Sequence, residues 1–281
     1  MASAPAEQVN LEAKSPYEMR VHLGEQVPDM DVRSALKTGN MGFLHSYTTG
    51  SAVDGPGIRV VAWTTACMFR CQYCHNPDTW TLSNGIPVAL ERAIEGVRKY
   101  ANAMKEMHGG FTLSGGEPLM QDRFAVRLLA AVKGMGVHTA IETNGFYAER
   151  LSDDELRNID LVILDMKAFT LEQHKRVTGG MDNKDVLAFA RRLAGLKRPM
   201  WVRYVLVPGL TDDPREMEQL AEFVASLGVV ERVEILPFHQ LGQYKWERLG
   251  LDYKLATTNP PSQGEVAQAV TIFRAAGLDA D

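Results

Sequence analysis

The chain has 281 residues, enough for one large domain or two modest ones, with 45% hydrophobic and 23% charged residues. Mean hydropathy is -0.17, and no apolar run approaches the roughly 18 to 20 residues that span a bilayer, which excludes a transmembrane helix. Thirty Lys and Arg against 35 Asp and Glu leave a formal charge of -5, so no net positive field exists to hold a phosphate backbone and nucleic-acid binding is disfavoured.

Residues 1–40 mix Pro, Ala, Glu, Asp and Lys without sustained apolar periodicity and read as a flexible N-terminal extension. Their first twenty residues lack both the apolar core of a secretory signal and the acid-free, Arg-rich character of a transit peptide. The first strand is expected at 57–65, GIRVVAWTT, rich in β-branched and aromatic residues. A helix is expected over 88–107, where Ile94, Val97, Ala101 and Met104 recur at helical spacing before Gly109-Gly110. FTLS (111–114) is the next strand, followed by a helix after Asp122 with Phe124, Leu128, Leu129 and Val132 on one face, then the strand VHTAIET (137–143).

Ser152 with Glu155 three residues on opens a short helix as a capping box. LVILDM (161–166) is a buried-strand run, followed by a helix over 185–196 and the strand MWVRYVLV (200–207). Asp213-Pro214 opens a helix carrying Met217, Leu220, Ala221 and Val224, and VEILPF (233–238) is the sixth strand. A second capping box, Ser262 with Glu265, precedes a last helix bearing Val266, Val270 and Phe273.

Six strands alternating with helices imply parallel pairing through right-handed crossovers, in an open doubly wound α/β sheet or a barrel-like arrangement short of eight units. Both place functional residues at C-terminal strand ends. Cys67 follows the first strand, Gly115-Gly116-Glu117 the second; Glu142-Thr143-Asn144 ends the third, Asp165-Met166-Lys167 the fourth, and His239 follows the sixth.

All three cysteines, Cys67, Cys71 and Cys74, fall in one C-x3-C-x2-C run. An odd, clustered set is no disulfide framework and points to a reducing, cytoplasmic compartment. Thiolates select soft metals, leaving zinc or an iron-sulfur cluster. Structural zinc needs four ligands, and His75, adjacent to Cys74, is poorly placed to close the same tetrahedron. Three ligands leave a position open to substrate or cofactor, whereas electron-carrier clusters usually have four cysteines. Three inert buried thiols are the bland alternative, which the spacing weakens.

CMFRCQYCHNPDTW, with an aromatic before its third cysteine, and SGGEPL (114–119) resemble the cysteine and glycine-rich motifs of radical S-adenosylmethionine enzymes. VDGPGIR (53–59), ETNGF (142–146), LVILDMK (161–167), WVRYVLVPG (201–209) and LPFHQLGQYKW (236–246) narrow the resemblance to the pyruvate formate-lyase-activating family, from about residue 41 to the C-terminus. The resemblance implies a partial (β/α)6 barrel over 41–281 behind the N-terminal extension. It implies a [4Fe-4S] cluster on Cys67, Cys71 and Cys74, with S-adenosylmethionine chelating the remaining iron. Reductive cleavage then gives a 5'-deoxyadenosyl radical that takes hydrogen from a backbone glycine of pyruvate formate-lyase.

The same resemblance places Gly116 and Gly115 against the methionine part of the cofactor, where missing side chains permit close backbone approach. Asp165, the Met166 backbone, Lys167 and His239 match positions touching its methionine or ribose, and Tyr73 and His75 flank the cluster. Glu142, Thr143 and Asp165, with the carbonyl of Ile163, match a monovalent-cation site, Glu142 standing where Asp is usual. Asp54 and Arg203 match positions that meet the partner's glycine loop. Reduced flavodoxin or ferredoxin as electron donor, and a monomeric chain, are implied as well.

Bland readings stand beside these. Asp54 before Gly55-Pro56-Gly57 suits the start of a turn, Arg203 within a strand suits a satisfied ion pair, and a glycine pair or a single histidine is more often structural. Activators of anaerobic ribonucleotide reductase share the cysteines and a GGEP-like motif but are shorter. Activators of several other glycyl-radical enzymes carry a cysteine-rich insert, which three cysteines exclude. A zinc-binding interaction module would require neither GGEP nor Asp165-x-Lys167.

Overall fold

The computed structural model describes residues 32–281. The extension expected over 1–40 lies outside the described residues up to residue 31, but its last part departs from that expectation. Val32–Thr38 forms helix α1, which buries Ala35.

Among the described residues eight strands form one sheet: β1 (Met41–Ser51), β2 (Arg59–Thr64), β3 (Ile86–Ala89), β4 (Gly110–Gly115), β5 (His138–Thr143), β6 (Leu161–Asp165), β7 (Met200–Leu206) and β8 (Val230–Pro237). Their order is β3-β1-β2-β4-β5-β6-β7-β8. The six strands expected from the sequence are β2 and β4 to β8, all parallel. Because they follow chain order without reversal, the sheet has no switch point of the kind a doubly wound fold uses, and it is a partial barrel.

β1 and β3 extend the barrel's edge as antiparallel strands. β1 is missing from the sequence expectation because its buried Met41, Leu44 and Tyr47 recur every third residue. A register shift between Leu44 and Ser46 inserts the extra residue that brings Tyr47 back to the buried side.

The helix expected over 88–107 is divided: β3 takes its start, and α2 (Leu90–Arg98) and α3 (Ala101–Glu106) are separated at Lys99-Tyr100. The remaining helices are α4 (Asp122–Lys133), α5 (Asp153–Leu156), α6 (Leu171–Thr178), α7 (Lys184–Gly195), α8 (Pro214–Ser226), α9 (Gln243–Arg248) and α10 (Gln263–Ala275). α6 and α9 were not expected. Both capping boxes form, and Asp213 caps α8 with Pro214 in its first turn.

Alternation along the strands sorts the residues into two layers. Phe111, Leu113, Ile141, Leu164, Val202 and Tyr204 face the helices and belong to the main core. Ala140, Leu161 and Ile163 with Trp201 form a small separate cluster on the barrel's inner side. Ser114, Glu142, Asp165, Arg203 and Glu234 share that inner parity nearer the C-terminal strand ends. The barrel's mouth is therefore charged, while below it the apolar cluster shares the interior with the fully buried Arg59, bonded to Thr112 and the Phe111 carbonyl.

Candidate active site

The cysteine loop leaves β2 through Ala66, held at φ 75 in the left-handed region. Its two limbs are tied by Ala66 N–H to Thr79 O (2.8 Å) and Cys67 N–H to Trp80 O (3.1 Å). Arg70 and Gln72 N–H groups donate to Thr178 and Val177 carbonyls at the end of α6. From α9, Trp246 Nε1–H donates to Cys74 O at 2.8 Å. Lys245 beside it bridges Asn76 Oδ1 (2.8 Å) and Asp78 (3.1 Å), and Asp78 pairs with His45 at 3.2 Å.

None of the thiols is in a disulfide; Cys71 is buried and the other two half-buried. Burial raises all three above the usual thiol range, Cys71 to about 12, and the thiols lie close enough for each other's charge to add to this. A bound metal reverses that balance by stabilising thiolate. Among the described residues no three His, Cys, Asp or Glu side chains close on a point as ligands of a single ion do. Three free cysteines on one short loop remain candidate ligands of a soft metal centre.

Gly115 and Gly116 press the end of β4 onto this loop. A Cβ on Gly115, whose φ is +129, would stand 2.2 Å from Thr64 backbone atoms, and one on Gly116 2.4 Å from Ala66 O. The glycine pair is thus required by packing against Thr64 and Ala66. The next residue, Glu117, was given no role by the sequence reading. Its buried carboxylate accepts from Leu119 N–H (2.9 Å), Thr143 Oγ1 (2.7 Å) and Asn144 N–H (2.8 Å), joining the glycine turn to the end of β5. Burial pushes its pKa up to about 7.

On the cofactor side, His75 stacks on His239 with ring centroids 4.0 Å apart, and His75 Nε2 donates to the His239 carbonyl at 3.1 Å. Burial drives the His75 pKa down to about 4, so the ring is neutral at pH 7. Lys167 Nζ lies 2.8 Å from Asp165 and 5.5 Å above the Tyr73 ring. Burial opposes its charge, but Asp165, with Tyr73 and Cys71, outweighs it and raises the Lys167 pKa. The Tyr73 hydroxyl is buried without a hydrogen-bond partner, an orphaned polar group beside the cysteines that a bound cofactor could satisfy. Met166 N–H donates to Arg203 O at 3.0 Å, fixing the turn out of β6.

Arg203 occupies the opposite side of the mouth. Its Nε donates to Glu234 at 2.6 Å, Nη1 pairs with Glu142 and lies 3.7 Å from Asp54, and Nη2 donates to Val53 O. Ser114 and Ser51 hydroxyls donate to Glu142 and Asp54, each at 2.5 Å. Burial would raise Glu142, but Arg203 and the Ser114 hydrogen bond outweigh it and hold Glu142 below the usual carboxylate range. For Asp54, burial followed by the Glu142 charge wins and the pKa is raised.

Asp54 and Arg203 therefore do come together, and the bland reading of Arg203 as an ion pair also holds. Glu142, Thr143 and Asp165 are instead each engaged elsewhere, with Arg203, Glu117 and Lys167 respectively. Ser114, Glu234, Lys245 and Trp246 complete the site without having been singled out in the sequence. Only inner-face parity opposite Arg203 could have marked Glu234.

The Radical SAM superfamily model matches residues 61–224, spanning the cysteine loop, the glycine turn and strands through β7. The chain belongs to the radical SAM superfamily. A [4Fe-4S] cluster and S-adenosylmethionine are the cofactors of that chemistry. This radical SAM chain is 42% identical over 235 residues to a pyruvate formate-lyase-activating enzyme from Staphylococcus epidermidis, covering 81% of this chain and 93% of the relative. It is 41% identical over the same length to the protein of that name from Staphylococcus aureus USA300, with the same coverage. Among solved structures, a domain of pyruvate-formate lyase-activating enzyme from Bacteroides vulgatus superposes with a TM-score of 0.52 at 28% identity, covering 62% of this chain and 98% of that domain. A spore photoproduct lyase superposes at 0.57 over 77% of this chain and 74% of its own, but at 14% identity shows the shared fold alone.

Proposed function

We infer that this chain activates pyruvate formate-lyase. The cluster and S-adenosylmethionine, when bound, supply reductive cleavage of the sulfonium and the 5'-deoxyadenosyl radical that takes hydrogen from a backbone glycine of the partner. Cys67, Cys71 and Cys74 hold the cluster, and the backbone clasps from α6 and α9 keep their loop in place. We assign Gly115 and Gly116, packed against Thr64 and Ala66, to the methionine part of the ligand. Lys167, pre-paired with Asp165, offers a buried cation to the ligand's carboxylate, while the neutral His75–His239 stack gives an uncharged face beside the third cysteine. Asp54 and Arg203, a buried pair at the strand ends, are the residues we assign to the partner's glycine loop.

We assign the chemistry to residues 41–281, and expect a cytoplasmic monomer reduced by flavodoxin or ferredoxin. Among the described residues no helix is long and apolar enough to cross a membrane. The observation that carries the reading is the three-cysteine loop pressed against the Gly115-Gly116 turn, together with relatives above 40% identity over four-fifths of the chain. The test is electron paramagnetic resonance on the anaerobically reduced protein mixed with S-adenosylmethionine and pyruvate formate-lyase. A persistent glycyl doublet that needs every component is expected; a cluster signal that responds to S-adenosylmethionine but yields no glycyl radical would assign a different partner.

A further inference from the structure

We infer that Arg59 and Thr112 are positioning residues: from inside the barrel they hold loop 53–56 in the shape that sets Asp54 beside Arg203, and so govern affinity for the partner's glycine loop. What Asp54 meets rests on the functional reading, but the geometry stands without it. Three carbonyls of this loop turn inward, each to a donor from a different strand. Val53 O accepts from Arg203 Nη2 on β7, Asp54 O from Thr112 Oγ1 on β4 at 2.6 Å, and Pro56 O from Arg59 Nη1 on β2 at 3.3 Å. The last two donors act as one unit, because Arg59 Nε donates to Thr112 Oγ1 at 3.0 Å and leaves that hydroxyl's own proton for Asp54 O. The Val53 side chain, by contrast, is 72% exposed, so the loop ties its oxygens in and offers an apolar group outward.

What fixes the loop across the barrel is backbone rather than the Asp54 carboxylate. That carboxylate accepts from Ser51 at the base of its own hairpin. Its pairing with Arg203 spans 3.7 Å, too long for a hydrogen bond. Asp54 therefore keeps its place beside Arg203 only as long as the carbonyls on either side of it stay anchored.

Arg59 is suited to that anchoring. It is fully buried, and burial lowers its pKa only to about 10, so it is a cation at neutral pH. Besides Thr112 and Pro56, its guanidinium meets Phe111 O at 2.7 Å and His138 Nδ1 at 3.1 Å. A loop displaced outward would strip this buried cation of the Pro56 carbonyl and leave the Thr112 hydroxyl proton without its acceptor, both disfavoured away from water. Glycines keep its path clear: a Cβ on Gly110 would stand 2.4 Å from Nη1, and one on Gly55, whose φ is +121, 3.3 Å from Nε.

The experiment compares Thr112→Val with Thr112→Ser in the cluster-loaded protein. Valine keeps the shape but takes the hydroxyl from both Asp54 O and Arg59 Nε; serine restores it. The pyruvate formate-lyase concentration that gives half-maximal glycyl-radical formation should rise at least about fivefold in Thr112→Val and return to within about twofold of wild type in Thr112→Ser. The response of the cluster's paramagnetic resonance signal to S-adenosylmethionine should match wild type in both. An unchanged half-saturating concentration overturns the inference. So does a S-adenosylmethionine response that falls in parallel, which would make Thr112 a general support of the barrel. Arg59→Lys, keeping the charge but not the fork, should show the same split, and wild-type behaviour there would overturn Arg59's share. Amide hydrogen exchange over 53–57, which needs no partner, should quicken at least about fivefold in Thr112→Val while β5 and β6 exchange as before; unchanged loop exchange overturns the inference. Failure of the wild-type mixture to form any glycyl radical would reject the functional reading instead, with loop exchange still deciding whether Thr112 and Arg59 hold the loop.

Discussion

The two sides of the barrel mouth are held by different means. Around the cysteine loop the contacts are backbone hydrogen bonds, close glycine packing and aromatic edges, including Trp80 against Trp246 at 5.1 Å and Phe69 against His174 at 5.5 Å. Across β5, β7 and β8 they are charged side chains gathered on one guanidinium. A loop held by its backbone shifts when a support is lost, and the effect reaches the metal. A charge cluster does not shift so much as unbalance, because removing one member leaves the others buried and uncompensated. Substitutions on the first side should therefore read out mainly in the cluster, and on the second mainly in stability.

The sharpest break comes from the ligands. Replacing Cys67, Cys71 or Cys74 singly by alanine should reduce glycyl-radical formation to background and lower the iron and sulfide content after reconstitution, while circular dichroism stays native-like. On the charged side, Arg203→Met should cost about 3–5 kcal/mol in urea unfolding, since Glu142 and Glu234 lose their shared partner. Arg203→Lys should recover part of this, keeping the charge but not the fork. A loss below about 1 kcal/mol for Arg203→Met would show the cluster to be solvated in practice and erase the contrast between the two sides.

Sequence pattern made one side far more readable than the other. C-x3-C-x2-C and the glycine pair announce themselves because thiols and bare backbone are chemically scarce, and the six parallel strands follow from runs such as LVILDM. The Arg203 cluster is assembled from four strands and a loop, so only its members' positions at strand ends were visible, not their pairing. Glu234 and Ser114 look like ordinary polar alternation until register sets Glu234 opposite Arg203 and the sheet brings Ser114 to Glu142. β1 escaped because its bulge breaks the period of two. The α9 clasp escaped because Trp246 reaches Cys74 across 172 positions of chain.

His174 is a buried ionisable group on the side held by backbone and aromatic contacts. It lies in α6 against Phe69, neither ring nitrogen makes a well-formed hydrogen bond, and burial, only partly offset by the nearby Ala168 backbone, lowers its pKa to about 4 from an ordinary value of 6.5. Between those values the unfolded chain binds a proton that the folded chain refuses, so stability falls as pH drops through the window and is unaffected above it. The full cost approaches about 3 kcal/mol near pH 4. Thermal unfolding of the protein between pH 7 and pH 4 should show this slope added to that of His75, and His174→Leu, similar in volume, should reduce it by His174's share. An unchanged slope would mean that the folded protein accommodates the charged imidazole, with the Ala168 backbone as its acceptor.

Trp246→Phe is the mildest perturbation and the most specific. It keeps an aromatic body near Trp80 and Tyr253 while deleting the Nε1–H bond to the Cys74 carbonyl, a loss of about 1 kcal/mol in global stability. That carbonyl belongs to the residue carrying the third thiolate, so the lost restraint acts on the ligand itself. The cluster's midpoint potential, and the change in its spectrum on adding S-adenosylmethionine, should move more than the unfolding midpoint does. Lys245→Met, which removes the neighbouring bridge to Asn76 and Asp78, should shift the same signals in a protein whose indole bond is intact. If both variants change stability but leave the potential and the spectrum untouched, α9 merely caps the barrel. Movement of the cluster signals in both would place the restraint on the cysteine loop.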